Sequence, residues 1–273
     1  MVKIYRFNEE YSKILEQKLN DVKLKYEVKN ILGSNRIIFS IKDNSKYDKE
    51  LELLIKNTPL VYNQFTKKEL ENAHLLQIVP ESQKISIING EECFEAKCIK
   101  EDKFGIKRTY HHKQVGKIKI KNVPKQDGCC LYSVDTGFSE IFARKELVEL
   151  IQKYNFKGFN ISSISEQKNE DCEDLYQLLS DNIIKFEEIE TTNQEKIENC
   201  PICHDYKKII IDNTYQLHLN NKNKYLDSDF YMTDAIFGEG IPYRIYLVSQ
   251  RFYQALQKEN MNKKVKFVPV ILN

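Results

Sequence analysis

The chain lacks most of the features that would assign a function directly. Only 9 of its 273 residues are glycine, and it contains no Walker A, Rossmann, Gly-x-Ser-x-Gly or His-Glu-x-x-His motif, which argues against phosphate-cradling loops and the commonest hydrolase sites. No apolar run approaches the roughly 20 residues of a membrane span. The N-terminal stretch Met1–Phe7 lacks the apolar core of a signal peptide. We therefore expect a protein without a membrane segment.

A strong charge of one sign is also lacking. The 42 Lys and Arg residues nearly balance the 40 Asp and Glu residues, and the net charge of +2 does not predict binding to nucleic acid or to an anionic membrane. The charges are nevertheless segregated, because residues 100–125 carry nine Lys or Arg against two acidic residues, and residues 165–198 carry eleven Asp or Glu against three Lys. Such a chain can present opposite faces to different partners, although two ordinary solvated surfaces would give the same pattern.

The seven cysteines are an odd number without the spacing of a disulfide scaffold, so we expect reduced thiols and a cytoplasmic protein. The sharpest local motif is Cys200-Pro-Ile-Cys203, because two cysteines at this spacing turn both thiolates onto one zinc ion in a zinc knuckle. A turn whose thiols pack as small apolar groups is the favoured interpretation, and zinc is the alternative to it. A tetrahedral site would need two further ligands. The residues available for this are His204, His218, Cys172 and one of the adjacent pair Cys129 and Cys130.

Catalysis by cysteine is not favoured. Thioredoxin-type chemistry needs a helix after the Cys-x-x-Cys motif, whereas the residues after Cys203 predict a strand. A nucleophile such as Cys129 would need a base, and nothing in the sequence places His111 or His112 beside it. The sequence therefore predicts a protein that is not an enzyme.

The spacing of the apolar residues predicts an α+β protein with many short strands. Thr66 opens a capping-box pattern that predicts a helix at Lys67–Ala73. The pair Asn89-Gly90 predicts a hairpin between strands at Ile85–Ile88 and Glu92–Ile99. We expect either one continuous domain or two regions. Those regions would be 1–125 and 126–273, the second with an acidic connector at 165–198.

Two stretches of the C-terminal region follow the same plan. Gly137–Ile164 and Arg244–Ile271 each predict a short apolar strand, a helix of about three turns and a second short strand. Asn155 of the first stretch aligns with Asn260 of the second. The pattern indicates two repeated strand–helix–strand units.

The second of these helices has a clear start signal. Ser249 can accept a hydrogen bond from the amide of Arg251 or Phe252, as an N-cap residue does. Arg251 would lie near the helix N-terminus, where a cation is slightly unfavourable. We therefore expect a carboxylate partner for Arg251, and the candidates are Asp229 and Asp234.

Three segments of the chain, taken in order, follow a known family pattern. They are Gly137–Leu147, the knuckle Cys200–Cys203, and a C-terminal block of Ser228–Phe230, Ile245–Phe252 and Phe267–Pro269. On these segments the chain resembles the double-CxxCG motif family of immunity proteins in bacterial polymorphic toxin systems. The chain departs from the family pattern in two places, because the family's first Cys-x-x-Cys-Gly is missing and His204 replaces the glycine after the second pair.

The resemblance implies an immunity protein that binds a cognate protein toxin and neutralises it by stoichiometric occlusion. Toxins that act on nucleic acid tend to be basic, so the acidic residues Glu187, Glu188 and Glu190 are the candidate toxin-binding site. Complementary charges of this kind speed association.

Cys200 and Cys203 are the candidate metal ligands, zinc is the candidate ion, and no other cofactor is predicted. The alternative function is a zinc-stabilised nucleic-acid-binding or regulatory module that uses the basic residues 100–125. Nucleic acid is the less favoured partner, because the sequence contains no recognition helix or aromatic RNA-binding pattern.

Overall fold

The structure, a computed structural model, forms two compact units. The first is built from Met1–Glu69 together with Tyr215, and the second from Leu70–Ile211 and Gln216–Asn273. The boundary suggested near residue 125 stays a prediction. None of the described helices is both long and apolar enough to cross a bilayer. The residues described are 1–31, 33–42, 49–57, 60–81, 83–101, 107–134, 140–168, 170–191, 196–204, 207–211, 215–220, 222–225, 227–238 and 243–273.

The first unit is an antiparallel sheet packed against two helices. Its elements are β1 (Val2–Glu10), α1 (Lys13–Asp21), β2 (Tyr26–Ile31), β3 (Ser34–Lys42), α2 (Lys49–Leu54) and β4 (Leu60–Gln64). The strand order is β2-β3-β1-β4. Phe7 of β1 stacks on Phe39 of β3 with ring centroids 5.0 Å apart. Leu15 and Leu19 of α1 lie in the same apolar core.

The elements from residue 67 onward are numerous and short, which confirms the predicted mixture of helices with many short strands. The helices are α3 (Lys67–Asn72), α4 (Gly90–Cys93), α5 (Lys145–Lys153) and α6 (Gln250–Lys258), and 3₁₀ turns lie at Phe186–Glu188 and Lys222–Tyr225. The strands are β5 (Leu75–Pro80), β6 (Gln83–Ile85), β7 (Phe94–Glu101), β8 (Lys107–Gln114), β9 (Lys119–Ile120), β10 (Leu131–Val134), β11 (Ile141–Arg144), β12 (Phe159–Glu166), β13 (Asp171–Ser180), β14 (Ile183–Ile184), β15 (Lys196–Asn199), β16 (Lys207–Ile210), β17 (His218–Leu219), β18 (Phe230–Thr233), β19 (Ile236–Phe237), β20 (Tyr246–Ser249), β21 (Val265–Pro269) and β22 (Ile271–Leu272).

Two sheets and two helices form the main core of the second unit. The six-stranded sheet has the order β6-β10-β11-β13-β12-β9, and the five-stranded sheet has the order β14-β18-β20-β5-β21. One apolar cluster combines buried side chains of α5, such as Leu147 and Ile151, with Phe252 and Leu256 of α6 and with strand residues of both sheets. Each large apolar side chain stabilises the fold by about 1.5–3 kcal/mol when it leaves water. Packing rather than intrinsic propensity therefore stabilises these short helices.

The predicted starts of α3 and α6 are confirmed. The amide of Thr66 donates to the Glu69 carboxylate at 2.8 Å, and the amide of Glu69 donates to Thr66 Oγ1 at 3.3 Å. At α6, Ser249 Oγ accepts from the amide of Phe252 at 3.1 Å. Each contact satisfies a backbone N–H group that has no partner inside its helix.

The hairpin predicted at Asn89-Gly90 is wrong. Gly90 begins α4, and the side chain of Asn89 bridges the carbonyl of Lys117 at 2.9 Å and the amide of Lys119 at 2.8 Å. Because these hydrogen bonds hold Asn89 to a distant segment, the local turn preference is overridden. β7 pairs with β8 instead.

The acidic segment 165–198 contains β13, which lies between β11 and β12 in the six-stranded sheet. Leu175 and Leu178 of β13 are buried, whereas Asp171 and Glu173 near its start are exposed. The acidic side chains therefore project from a strand that is anchored in the core by its apolar residues.

Candidate metal centre

The Cys200-Pro-Ile-Cys203 motif forms a tight turn directly after β15. The amide of His204 donates to the carbonyl of Cys200 at 3.0 Å, and the backbone of His204 is left-handed with φ of 62°. Glycine adopts this conformation most easily. A histidine here costs about 1–2 kcal/mol in backbone strain.

A third thiol reaches this knuckle from a distant part of the chain. The sulfur atoms of Cys98, Cys200 and Cys203 all lie within 4.8 Å of one another. Cys98 belongs to β7 of the two-stranded sheet β7-β8, whereas the knuckle follows β15 of the three-stranded sheet β15-β16-β19. A tetrahedral zinc ion with Zn–S bonds of about 2.3 Å separates its sulfur ligands by about 3.8 Å. The three thiols could therefore hold a metal ion.

The backbone of Cys98 is unusual for a residue inside a strand. Its φ is 54°, although β7 and β8 keep one register on both sides, where Lys97 pairs with His111 and Ile99 pairs with Thr109. A left-handed conformation costs a non-glycine residue about 1–2 kcal/mol. Such strain persists where the surroundings fix it and is concentrated at functional sites. Here the strained residue is the one that supplies the third sulfur.

The thiol of Cys98 is hard to ionise in these surroundings. Burial, and then hydrogen bonds with Cys203 and Cys200, raise the pKa of Cys98 to about 11. A bound cation would reverse this preference, because a cysteine that ligates a metal does so as a thiolate. Metal binding at this site would therefore release protons and weaken as the pH falls.

The other four cysteines lie in the apolar core. Burial raises the pKa of Cys130 to about 12, and its sulfur donates to the carbonyl of Met261 at 2.8 Å. Burial likewise raises the pKa of Cys93 to about 11 and those of Cys129 and Cys172. Thiols that ionise so poorly are weak nucleophiles. No disulfide links the seven cysteines.

Among the described residues, Cys98 supplies the third sulfur atom, beside those of Cys200 and Cys203. The sequence did not indicate this residue. No spacing rule relates a cysteine in one strand to a motif so far downstream, so the sequence carries no signal for it. The side chains of His111 and His112 lie outside the described part of the structure. The further ligands that the sequence suggested are not members of this group; they are His204, His218, Cys172, Cys129 and Cys130.

The three candidate toxin-binding glutamates lie in and directly after the first 3₁₀ turn. Glu187 and Glu190 are exposed. The side chain of Glu188 is only 17% exposed, pairs with Lys224 and accepts a hydrogen bond from the hydroxyl of Tyr225. Burial opposes its ionisation, but these hydrogen bonds outweigh burial and lower the pKa of Glu188. Glu188 therefore stabilises the fold, while Glu187 and Glu190 are accessible to a partner.

The carboxylate partner of Arg251 is Asp229, one of the two predicted candidates. Asp229 is 5% exposed and accepts from Arg251 Nε at 3.1 Å, from Ser249 Oγ at 2.6 Å and from the amide of Lys157 at 2.8 Å. The guanidinium of Arg251 also lies 4.7 Å from the ring centroid of Phe156. This network joins the start of α6 to β18 and to the turn after α5.

Comparisons with protein families, curated proteins and solved structures gave no match for this chain.

Proposed function

We propose that this chain is an immunity protein that binds a cognate bacterial toxin stoichiometrically and contains a structural zinc ion. The observation that supports the proposal is the three-thiol group. The resemblance implies two cysteine motifs far apart in the sequence, and Cys98 lies beside Cys200 and Cys203 although the family's first motif is missing. A binding protein needs a rigid surface, and a structural metal contributes folding energy to such a surface.

Zinc is the ion that best suits these ligands. Soft thiolates select zinc over magnesium and calcium, which prefer oxygen ligands. Structural zinc sites are almost always four-coordinate. The described residues supply three sulfurs, so one position of the tetrahedron is left for a further ligand.

Purified under reducing conditions without chelator, the protein should contain one zinc ion per chain. Cys98→Ser keeps the size of the side chain but removes a soft ligand, so it should lower the zinc content measured by mass spectrometry. Cys172→Ser, which changes a buried thiol outside the group, is the control and should retain zinc. Equal zinc content in both variants would rule out Cys98 as a ligand.

A protein that inhibits a toxin by occluding it needs accessible charged side chains, and it does not need a reactive group. Glu187 and Glu190 provide exposed negative charge for a basic toxin. The buried thiols of Cys129 and Cys130, with their raised pKa values, suit packing better than nucleophilic attack. Both observations favour a binding protein over a thiol enzyme.

Glu187→Lys combined with Glu190→Lys should slow association with the cognate toxin by roughly three- to tenfold at low salt, because charge pairs steer the encounter. Glu188 is left unchanged, since its reversal would also disturb Tyr225 and Lys224. The difference should shrink at high salt. Surface plasmon resonance at low and high salt measures the association rates of the double variant and of the wild type.

The matched control for these reversals is Glu10→Lys with Glu149→Lys, which changes the net charge equally at exposed positions elsewhere. An equal slowing in the control would exclude a local docking site at Glu187 and Glu190. Protection at far less than one immunity protein per toxin would instead indicate catalysis.

We also propose that the two strand–helix–strand units are copies of one ancestral unit. In the first, β11 and β12 lie on either side of β13 and run antiparallel to it. In the second, β20 and β21 lie on either side of β5 in the same way. Leu178 of β13 pairs with one residue of each flanking strand, and Ile78 of β5 does the same between β20 and β21.

The ends of the two helices support the same equivalence. Asn155 and Asn260 are both left-handed, with φ of 50° and 57°, and each amide donates to the carbonyl three residues earlier. The middle strand follows the first unit but precedes the second in the chain. Residues 137–139, at the start of the first predicted unit, lie outside the described residues.

A further inference from the structure

We infer that the metal centre is a clasp that fixes the β7-β8 hairpin to the Cys200–Cys203 knuckle, so that loss of the metal releases the hairpin while the rest of the second unit stays folded. The inference rests on the zinc ion proposed above and assigns what that ion holds together.

The hairpin is attached to the second unit at its base. Phe94, the first residue of β7, is buried in an apolar cluster with Ile118 and Ile120. Gln114, the last residue of β8, exchanges two side-chain hydrogen bonds with Gln177 of β13, at 2.9 and 2.8 Å. These contacts hold the two strand ends that lie nearest the core.

Beyond this base, β7 and β8 pair only with each other among the described strands. An isolated two-stranded sheet is at best marginally stable in water. Ile99, in the second half of β7, is 52% exposed, so burial of this side chain adds little. On the contacts that the structure describes, the outer part of the hairpin is therefore only marginally stable.

The three-thiol group includes a residue of this outer part. Cys98 is in the middle of β7, and its sulfur is within 4.8 Å of those of Cys200 and Cys203. Thiols form only weak hydrogen bonds with one another, and the left-handed backbone of Cys98 costs about 1–2 kcal/mol. Metal–thiolate bonds are strong enough to offset this strain, because structural zinc sites supply folding energy.

Amide hydrogen exchange of the full chain tests the clasp, with zinc bound and after its removal by a chelator. Without zinc, the amides of β7 and β8 beyond the base should exchange roughly tenfold faster or more, because their protection then reflects only the hairpin's own stability. The amides of β11 and β13 should keep their protection. Cys98→Ser should reproduce the effect in the presence of zinc, and Cys172→Ser should not.

Unchanged exchange in β7 and β8 when metal analysis shows that zinc has been lost would overturn the clasp. Loss of protection throughout the second unit would also overturn it, because the metal would then hold the whole unit. A wild-type protein that never contains zinc refutes the proposed ion together with the clasp, and metal analysis identifies that case. Failure to bind a toxin would contradict the proposed immunity function alone.

Discussion

Gly158→Ala should destabilise the second unit by about 3 kcal/mol or more, because the added methyl group has no space. Gly158 lies in the turn between α5 and β12 with φ of 88°. An added Cβ would lie 2.2 Å from Ser228 Oγ, 2.4 Å from Asn182 Nδ2 and 2.6 Å from the carbonyl oxygen of Phe230. The first two atoms belong to side chains that can move, but the third is backbone at the start of β18. Urea unfolding monitored by circular dichroism measures the loss.

Gly33→Ala is the matched control, because Gly33 has nearly the same φ, 82°, and no atom within 4 Å of the added Cβ. Its loss should be about 1 kcal/mol, the contribution of the left-handed backbone alone. Adding Ser228→Ala to Gly158→Ala should restore only part of the stability, since the Phe230 carbonyl remains. Similar losses of stability for Gly158→Ala and Gly33→Ala would mean that the turn at Gly158 adjusts to the added methyl group without extra strain.

Asp229→Ala should have the second-largest effect, a loss of about 2–4 kcal/mol at neutral pH. The substitution removes the acceptor for the Ser249 hydroxyl, the Arg251 guanidinium and the amide of Lys157. The Ser249 hydroxyl and the amide of Lys157 destabilise the folded state when they are left without this partner, whereas the Arg251 side chain, which is 56% exposed, can turn to solvent. The free energy of unfolding in urea, compared with that of the wild type, gives the value.

Asp229 should also make stability depend on pH. Burial alone would raise its pKa, but hydrogen bonds from Arg251 and Ser249 outweigh burial, so the pKa falls below its ordinary value of 3.8. Its contribution is therefore fully present above the unfolded-state pKa and is lost as the pH falls through the lower folded-state pKa. The stability difference between the wild type and Asp229→Asn should shrink as the pH is lowered below 3.8.

Asp234→Asn is the control for this pH dependence. Burial raises the pKa of Asp234, and its Oδ1 atom is buried without a hydrogen-bond partner among the described residues. The pH dependence of stability therefore has the opposite sign at Asp234, because the contribution of a group with a raised pKa is lost as the pH rises through that pKa. Asp234→Asn should be neutral or stabilising at neutral pH. If both asparagine variants lose stability equally there, the hydrogen bonds of Asp229 are not what distinguishes the two sites.

Features whose contacts close within a few residues could be predicted from the sequence. The side chains of Thr66 and Glu69 accept hydrogen bonds from each other's amides across one helical turn. Ser249 likewise caps α6 by accepting from the amide three residues later. The Cys200–Cys203 knuckle is likewise a local turn. These features were predictable because their energies depend on residues that are close together in the sequence.

The contacts between distant segments could not be predicted in this way, because they depend on how the whole chain packs. Arg251 had two acidic candidates, and the packing of β18 beside the start of α6 selected Asp229. The Asn89-Gly90 turn preference was overruled, and Cys98 was brought to the knuckle with no signal in the sequence.

The physical reason is the relative size of the energies. A local turn or strand preference is worth about 1 kcal/mol, whereas each large apolar side chain that is buried contributes about 1.5–3 kcal/mol. The burial of a whole strand therefore outweighs the local preference of its ends. The order of the strands in the sheets depends on the total apolar surface that the assembled sheets remove from water. No short pattern along the chain encodes this total.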